Sequence, residues 1–155
     1  MRRQRLAQAQ HISAPAQSDH LRSRTQTIAS QIALSAMSLL DEWSRCSEWI
    51  EAALAHAHGS HTLQDVLDIV VKGDAQFWPF DDAAIVTEII RYPQRTTLRF
   101  WLAGGNFETL AEAEPKLINW SKQFDCTSVE IVGRRGWVRA LDGYEATATI
   151  MAKDF

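Results

Sequence analysis

The feature that most constrains this chain is a change in the spacing of its apolar residues near residue 73. Before that point they recur at steps of three and four, which predicts helices with one buried face. After it, β-branched runs and alternation of apolar with polar residues predict strands. The chain therefore combines helices with a sheet.

Two helices precede the strands. The stripe of the first consists of Leu39, Trp43, Cys46, Ile50, Ala53 or Leu54, and Ala57. Gly59 is a candidate stop for that helix. Thr62 predicts the start of the second, because Asp65 three residues later completes a capping-box pattern. Gly73 should end this second helix.

The second half predicts strands around one main helix. Leu98, Phe100 and Leu102 alternate and should therefore share one face of their strand. The predicted elements are the strands Gln76–Trp78, Ala84–Arg91 and Thr97–Leu102, the turn Tyr92–Arg95, a break at Gly104–Asn106, a helix from Leu110 to Phe124 kinked or split by Pro115, the strand Thr127–Val132, a short helix Arg134–Leu141 and a last strand Ala146–Met151.

Length and charge divide the chain into an arm and one domain. The 155 residues suffice for a single core, with a formal net charge of -3. Residues 1–38 form a basic arm that is flexible or docked on a partner, and residues 39–155 form the domain. Residues 1–24 contain little apolar surface, and a helix could begin near Thr25. The arm also resembles an organelle transit peptide in its composition.

Other composition features exclude some classes of protein. The longest weakly apolar stretch, from Ile28 to Leu40, is too short for a membrane span, which needs about 20 apolar residues. Cys46 and Cys126 are far apart and lack a CxxC spacing, so buried thiols are expected rather than a disulfide framework. No metal site is expected from His56, His58 and His61, because no nearby Cys completes a ligand set.

The order of elements and several segments resemble the GNAT (Gcn5-related acyltransferase) family. The segments are Gly104-Gly105-Asn106, LINWSKQFDCTSVEIV from Leu117 to Val132, and RRGWVRALDGY from Arg134 to Tyr144. GDAQFWPF, VTEIIRYP, FWLAGGN and VGRRGW also resemble small GNAT-like proteins of tailed phages. The resemblance covers roughly Leu40 to Phe155. It implies an α/β fold in which helices flank a mixed sheet, preceded by an N-terminal arm or helix.

The resemblance also implies where a cofactor site and a proton donor would lie. Gly104, Gly105 and Asn106 would grip the pyrophosphate of coenzyme A, but the Arg or Gln that leads this loop in the family is missing. The family's general-acid Tyr would fall on Arg139 or Val138. We therefore expect no cofactor and no catalysis, and acetyl-CoA is the cofactor only if the chain is active.

Glu88 and Glu130 are weak candidates for a catalytic base, which must reach the proton it removes. The alternative is that both simply face solvent from their strands. Arg134 and Arg135 are candidates for binding a partner, because guanidinium groups hold carboxylates and phosphates in a fixed plane. Trp137 beside them could join that surface or cover the core.

Two functional hypotheses follow. The first is a non-catalytic GNAT-like structural protein of a phage virion, which acts through protein–protein contacts. Its partner would be the larger assembly or a second copy, and it would be found in the virion or the host cytoplasm. The arm's arginines could also contact nucleic-acid phosphates. The second is a small N-acyltransferase that transfers acetyl from acetyl-CoA to an amine.

Overall fold

The computed structural model describes residues 16–133, 136–148, 151–153 and 155. The elements are helix α1 (Ala16–Leu54), helix α2 (Leu63–Lys72), strand β1 (Ala75–Pro79), strand β2 (Ala83–Tyr92), strand β3 (Arg95–Gly105), helix α3 (Phe107–Ser121), strand β4 (Cys126–Ile131) and helix α4 (Gly136–Ala140). The chain divides after Leu40 into two compact units. Residues from Asp41 onward contain the sheet and both hydrophobic cores.

Helix α1 starts earlier and stops sooner than the sequence predicts. It begins at Ala16, so a start near Thr25 is wrong; Ala, Gln, Leu and Arg in residues 16–24 all favour helix. It ends at Leu54, and a turn follows in which His58 and Gly59 have positive φ. Whether residues 1–38 act as a flexible or docked arm stays a prediction, and residues 1–15 lie outside the described part.

The predicted stripe of α1 forms the first core with one face of the sheet. Trp43, Cys46, Ile50 and Leu54 are buried there, as is Val66 of α2. They pack with strand residues Ala84, Val86 and Leu102. Burial raises the pKa of the Cys46 thiol, and Cys126 is half-buried; both cysteines are free.

The capping box at the start of α2 is confirmed. Thr62 Oγ1 accepts a hydrogen bond from the amide of Asp65, and the Asp65 carboxylate accepts one from the amide of Thr62 at 2.7 Å. The Thr62 side chain and backbone donate to that carboxylate and lower the pKa of Asp65. Gly73 ends α2 with φ of 84°, as predicted.

The four strands lie in the order β1-β2-β3-β4. The pairs β1–β2 and β2–β3 are antiparallel, whereas β3 and β4 are parallel. The predicted hairpin is confirmed, because Tyr92 pairs with Arg95 across Pro93-Gln94. The α/β fold with a mixed sheet flanked by helices is therefore confirmed.

A β-bulge in β3 overturns the predicted face of Leu102. Val86 pairs with Leu102 but Thr87 pairs with Phe100, so Trp101 is an extra residue on β3. An extra residue shifts the alternation of side chains by one position. Leu98 and Phe100 consequently belong to the second core, and Leu102 belongs to the first.

The second core packs α3 on the opposite face of the sheet. Leu110, Ala113 and Leu117 of α3 are buried there with Leu98 and Phe100. Pro115 lies on the exposed side of α3, and the helix continues through it from Phe107 to Ser121. The predicted split is wrong because an exposed Pro costs the helix one backbone hydrogen bond without disturbing its buried face.

The C-terminal elements differ from the prediction. The short helix is α4, Gly136–Ala140, and its predicted start at Arg134 lies outside the described residues. The predicted strand Ala146–Met151 is absent from its described residues, 146–148 and 151, and residues 149–150 lie outside the described part. Within the described residues, no helix is long and apolar enough to cross a membrane.

Gly104 gives a direct test of how closely β3 approaches α1. A Cβ placed on Gly104 would overlap the backbone carbonyl of Trp49, which cannot move without displacing α1. We expect Gly104→Ala to lower the free energy of unfolding by about 1–3 kcal/mol, the usual cost of forcing an extra carbon into a packed core. Denaturant unfolding measures this difference.

The matched control is Gly136→Ala, because a Cβ at Gly136 meets no atom within 4 Å and the backbone there is not left-handed. It should leave stability unchanged or slightly raised. Equal effects of the two substitutions would contradict close packing of β3 on α1.

Candidate cleft between the third and fourth strands

An apolar cleft of about 360 Å³ lies beside the C-terminal part of β3. The pairing of β3 with β4 ends at Phe100 and Ile131, whereas β3 continues to Gly105. Residues 101–105 of β3 line one side of the cleft and residues 131–133 another. The bulge at Trp101 falls where this pairing ends.

Aromatic rings supply much of the cleft wall. Trp101, Phe107 and Trp137 all line it, and the rings of Phe107 and Trp137 lie 5.7 Å apart. Among the described residues that line it, His56 and Glu114 are ionisable. The wall can therefore enclose an apolar or flat group, with few polar atoms to orient it.

Glu114 is held by a tyrosine. The hydroxyl of Tyr144 donates a hydrogen bond of 2.7 Å to the carboxylate of Glu114. Burial, and then this negatively charged partner, raise the pKa of Tyr144 well above its ordinary value. Tyr144 therefore keeps its proton at neutral pH.

Gly104, Gly105 and Asn106 occupy positions determined by packing. Gly104 and Gly105 are the last residues of β3, so the strand runs three residues beyond its predicted end at Leu102 and breaks at Asn106. Gly104 lies against the Trp49 backbone, and Gly105 has φ of 102° beside the carbonyl of Asp82. Asn106 is the N-cap of α3, and its side chain accepts a hydrogen bond from the amide of Glu108 at 2.9 Å.

Asp82 ties the start of α3 to the turn before β2. Its backbone carbonyl accepts a hydrogen bond from the amide of Asn106 at 2.9 Å. Its carboxylate accepts one from the hydroxyl of Thr109 at 2.8 Å. Sequence reasoning missed this residue, and the available signal was an acidic pair, Asp81-Asp82, in a turn between two strands.

Glu88 and Glu130 come together at Arg99, and none of the three lines the cleft. The guanidinium of Arg99 donates to Glu130 at 2.6 Å and to Glu88 at 3.5 Å, and it also donates to the hydroxyl of Tyr92. All three charged side chains are about a quarter exposed. Burial alone would lower the pKa of Arg99, but the hydrogen bond and charge of Glu130 outweigh it and raise that pKa.

The remaining predicted residues are two arginines, Trp137 and three histidines. Arg134 and Arg135 lie outside the described residues, so their partner-binding role stays a prediction. Trp137 is half-buried against the second core and lines the cleft. His61 packs edge-on against Trp101 at 4.9 Å between ring centroids. Among the described residues, no three His, Cys, Asp or Glu side chains are grouped to hold a metal ion.

Comparisons with known proteins leave the family of this chain open. No family model matches the sequence. No curated protein sequence matches it either. Among solved structures, the chain resembles a possible acetyltransferase from Clostridium difficile 630 with 14% sequence identity and a TM-score of 0.43, over 74% of this chain and 92% of that one. Similarity at this level does not transfer the activity of that protein to this chain.

Arg99 should stabilise the domain by neutralising two facing carboxylates. Arg99→Met keeps much of the side-chain volume but leaves Glu88 and Glu130 without their shared cation. We expect the free energy of unfolding to fall by about 1–3 kcal/mol. Urea unfolding at neutral pH measures this loss.

Arg91→Met is the control, because Arg91 is exposed at the end of β2. Glu88→Gln combined with Glu130→Gln should restore most of the stability lost in Arg99→Met. A loss of equal size in both methionine variants would show that charge neutralisation is not the cause.

Tyr144 should titrate only at alkaline pH above the ordinary tyrosine range. The chain has two tyrosines, so a Tyr92→Phe variant reports Tyr144 alone. We expect tyrosinate absorbance to appear above about pH 10. The folded-state pKa is raised, so the stabilisation from Tyr144 is complete below the unfolded-state pKa and is lost as pH rises above it.

Glu114→Gln removes the negative charge that faces the hydroxyl and should move the titration to lower pH. Tyrosinate that forms in the folded protein below pH 10 would contradict the hydrogen bond between Tyr144 and Glu114.

Proposed function

We propose that this chain is a non-catalytic protein, similar in fold to the GNAT acyltransferases, that acts through protein–protein contacts. Its role would be structural, within a larger assembly. The resemblance of its segments to small tailed-phage proteins favours a virion, with the host cytoplasm as the site before assembly. The contacts that hold the start of α3 are the main support.

Anion binding at a helix start requires backbone N–H groups that point to the ligand. Here the amide of Asn106 donates to the carbonyl of Asp82, and the amide of Glu108 donates to the side chain of Asn106. The carboxylates of Asp82 and Glu108 add negative charge at the same helix end. A pyrophosphate would have to displace these contacts and approach two like charges.

The arrangement of titratable groups points the same way. Glu88 and Glu130 are ion-paired with Arg99 and do not line the cleft, which disfavours either as a base for a substrate bound there. Tyr144 could approach a ligand in the cleft only after leaving Glu114. Its raised pKa makes it a weaker acid than an ordinary tyrosine, so proton donation to a leaving thiolate is disfavoured.

The partner-binding surface would include Arg134 and Arg135 together with Trp137. Guanidinium groups can hold acidic side chains of a partner in a defined geometry. The basic arm could add contacts to an acidic surface, or to nucleic-acid phosphates. The partner would be a component of the larger assembly or a second copy of this chain.

One observation favours the alternative, a small N-acyltransferase that uses acetyl-CoA. The cleft lies next to the bulge in β3, and its aromatic wall could enclose an acyl chain and part of a pantetheine arm. In that case Glu114 and Tyr144 would be the ionisable pair closest to the chemistry.

Acetyl-CoA binding separates these two functions. We expect millimolar acetyl-CoA to leave the melting temperature of the full chain unchanged, because Asp82 and Glu108 oppose the pyrophosphate. A ligand at a hundred times its dissociation constant would stabilise the fold by about 2.7 kcal/mol, which melting detects easily. ATP is the control for nonspecific anion binding. A rise with acetyl-CoA but not with ATP would favour the acyltransferase.

A further inference from the structure

The apolar stripe that α1 buries in the first core continues towards its N-terminus. Trp43, Cys46, Ile50 and Leu54 are the buried part of that stripe. At the same steps of three and four, Leu39, Ala36 and Ile32 precede them on the same face of the helix. We refer to Ile32, Ala36 and Leu39 as the upstream stripe.

Among the described residues, the upstream stripe is largely exposed. Ile32 is 64% exposed, Ala36 is exposed, and Leu39 is half-buried; Leu40, at the edge of the stripe, is 50% exposed. The sixteen residues from Thr25 to Leu40 include no charged residue. Leu34 and Met37 are exposed as well but lie off this stripe, which is distinguished by its continuity with the buried stripe. An apolar helix face gains stability when it is covered.

We propose that the upstream stripe binds the upstream stripe of a second copy of this chain, with the two α1 helices antiparallel. The absence of charge between Thr25 and Leu40 means that the two copies meet there without electrostatic repulsion. Pairs of helices that present apolar residues at alternating steps of three and four pack in this way.

The order of charges along α1 favours a second copy of the chain as the partner, and an antiparallel arrangement of the two helices. Arg22 lies ten residues before Ile32, and Glu42 lies ten residues after it, next to Asp41; Arg24 lies eight residues before. An antiparallel pair centred on Ile32 therefore brings the basic positions 22 and 24 of each copy towards the acidic positions 41 and 42 of the other. A parallel pair would place like charges side by side. Exposed charges of this kind select direction more than they add affinity.

The biological role of this pairing rests on the proposed function. The pairing itself does not. Paired α1 helices would give two domains from one contact. Arg134, Arg135 and Trp137 would then be presented twice to the larger assembly, which raises the effective strength of each weak contact.

The test compares two substitutions in the full chain by sedimentation equilibrium. Ile32→Asp places a carboxylate at the centre of the paired stripe, where it would face its own copy and lose water. Leu34→Asp is the matched control: Leu34 is 70% exposed but lies two residues along, on the opposite side of the helix. We expect a dimer for the unmodified chain, roughly hundredfold weaker pairing for Ile32→Asp, and little change for Leu34→Asp.

Charge reversal tests the direction. Arg22→Glu with Arg24→Glu should weaken the dimer, as should Asp41→Lys with Glu42→Lys. All four substitutions in one chain should restore it if the helices are antiparallel. If the helices were parallel, the combined variant would again place like charges side by side, and no restoration would occur.

A monomer at all concentrations for the unmodified chain overturns the proposal and leaves the stripe to a different protein. Equal weakening by Ile32→Asp and Leu34→Asp overturns it too, because Ile32 would then contribute no more to the dimer than a residue off the stripe. Neither result bears on catalysis. Acetyl-CoA melting of the monomeric Ile32→Asp variant, whose domain residues from Asp41 onward are unchanged, tests the proposed function separately.

Discussion

The extra residue in β3 is the constraint on which the rest of the domain depends. Because Trp101 has no counterpart on β2, the alternation of β3 is offset there, and the strand contributes Leu98 and Phe100 to one core and Leu102 to the other. The same offset turns Gly104 towards the backbone of Trp49, where only a residue without a Cβ fits. The cleft lies beside this stretch of strand.

The contacts at the start of α3 bear on whether this chain can bind an anionic cofactor. Asp82 ties that helix to the turn before β2, so the geometry expected of an anion site is used to hold two elements of the fold together. The same holds at Arg99. Glu88 and Glu130, the two candidate bases, are both ion-paired with this one cation. Both arrangements are consistent with a fold whose polar groups maintain its shape.

Much of the fold could be predicted from the sequence because the deciding contacts are local. Thr62 and Asp65 are three residues apart, and the turn at Pro93-Gln94 sets the register of the hairpin. That register alone places Glu88 opposite Arg99, so the ion pair was within reach of sequence reasoning. The bulge, the contact of Asp82 with α3 and the persistence of α3 through Pro115 depend on tertiary packing, which no local pattern encodes.

The burial of Cys46 affects the order in which the two cysteines are oxidised. Thiolates react with oxidants much faster than thiols do, and Cys46 is fully buried with a raised pKa. Its sulfur becomes reactive only when α1 separates from the sheet. Cys126 is half-buried at the start of β4, which is an edge strand among the described residues. Oxidative damage should therefore begin at the margin of the sheet and reach the core only in molecules that have already opened.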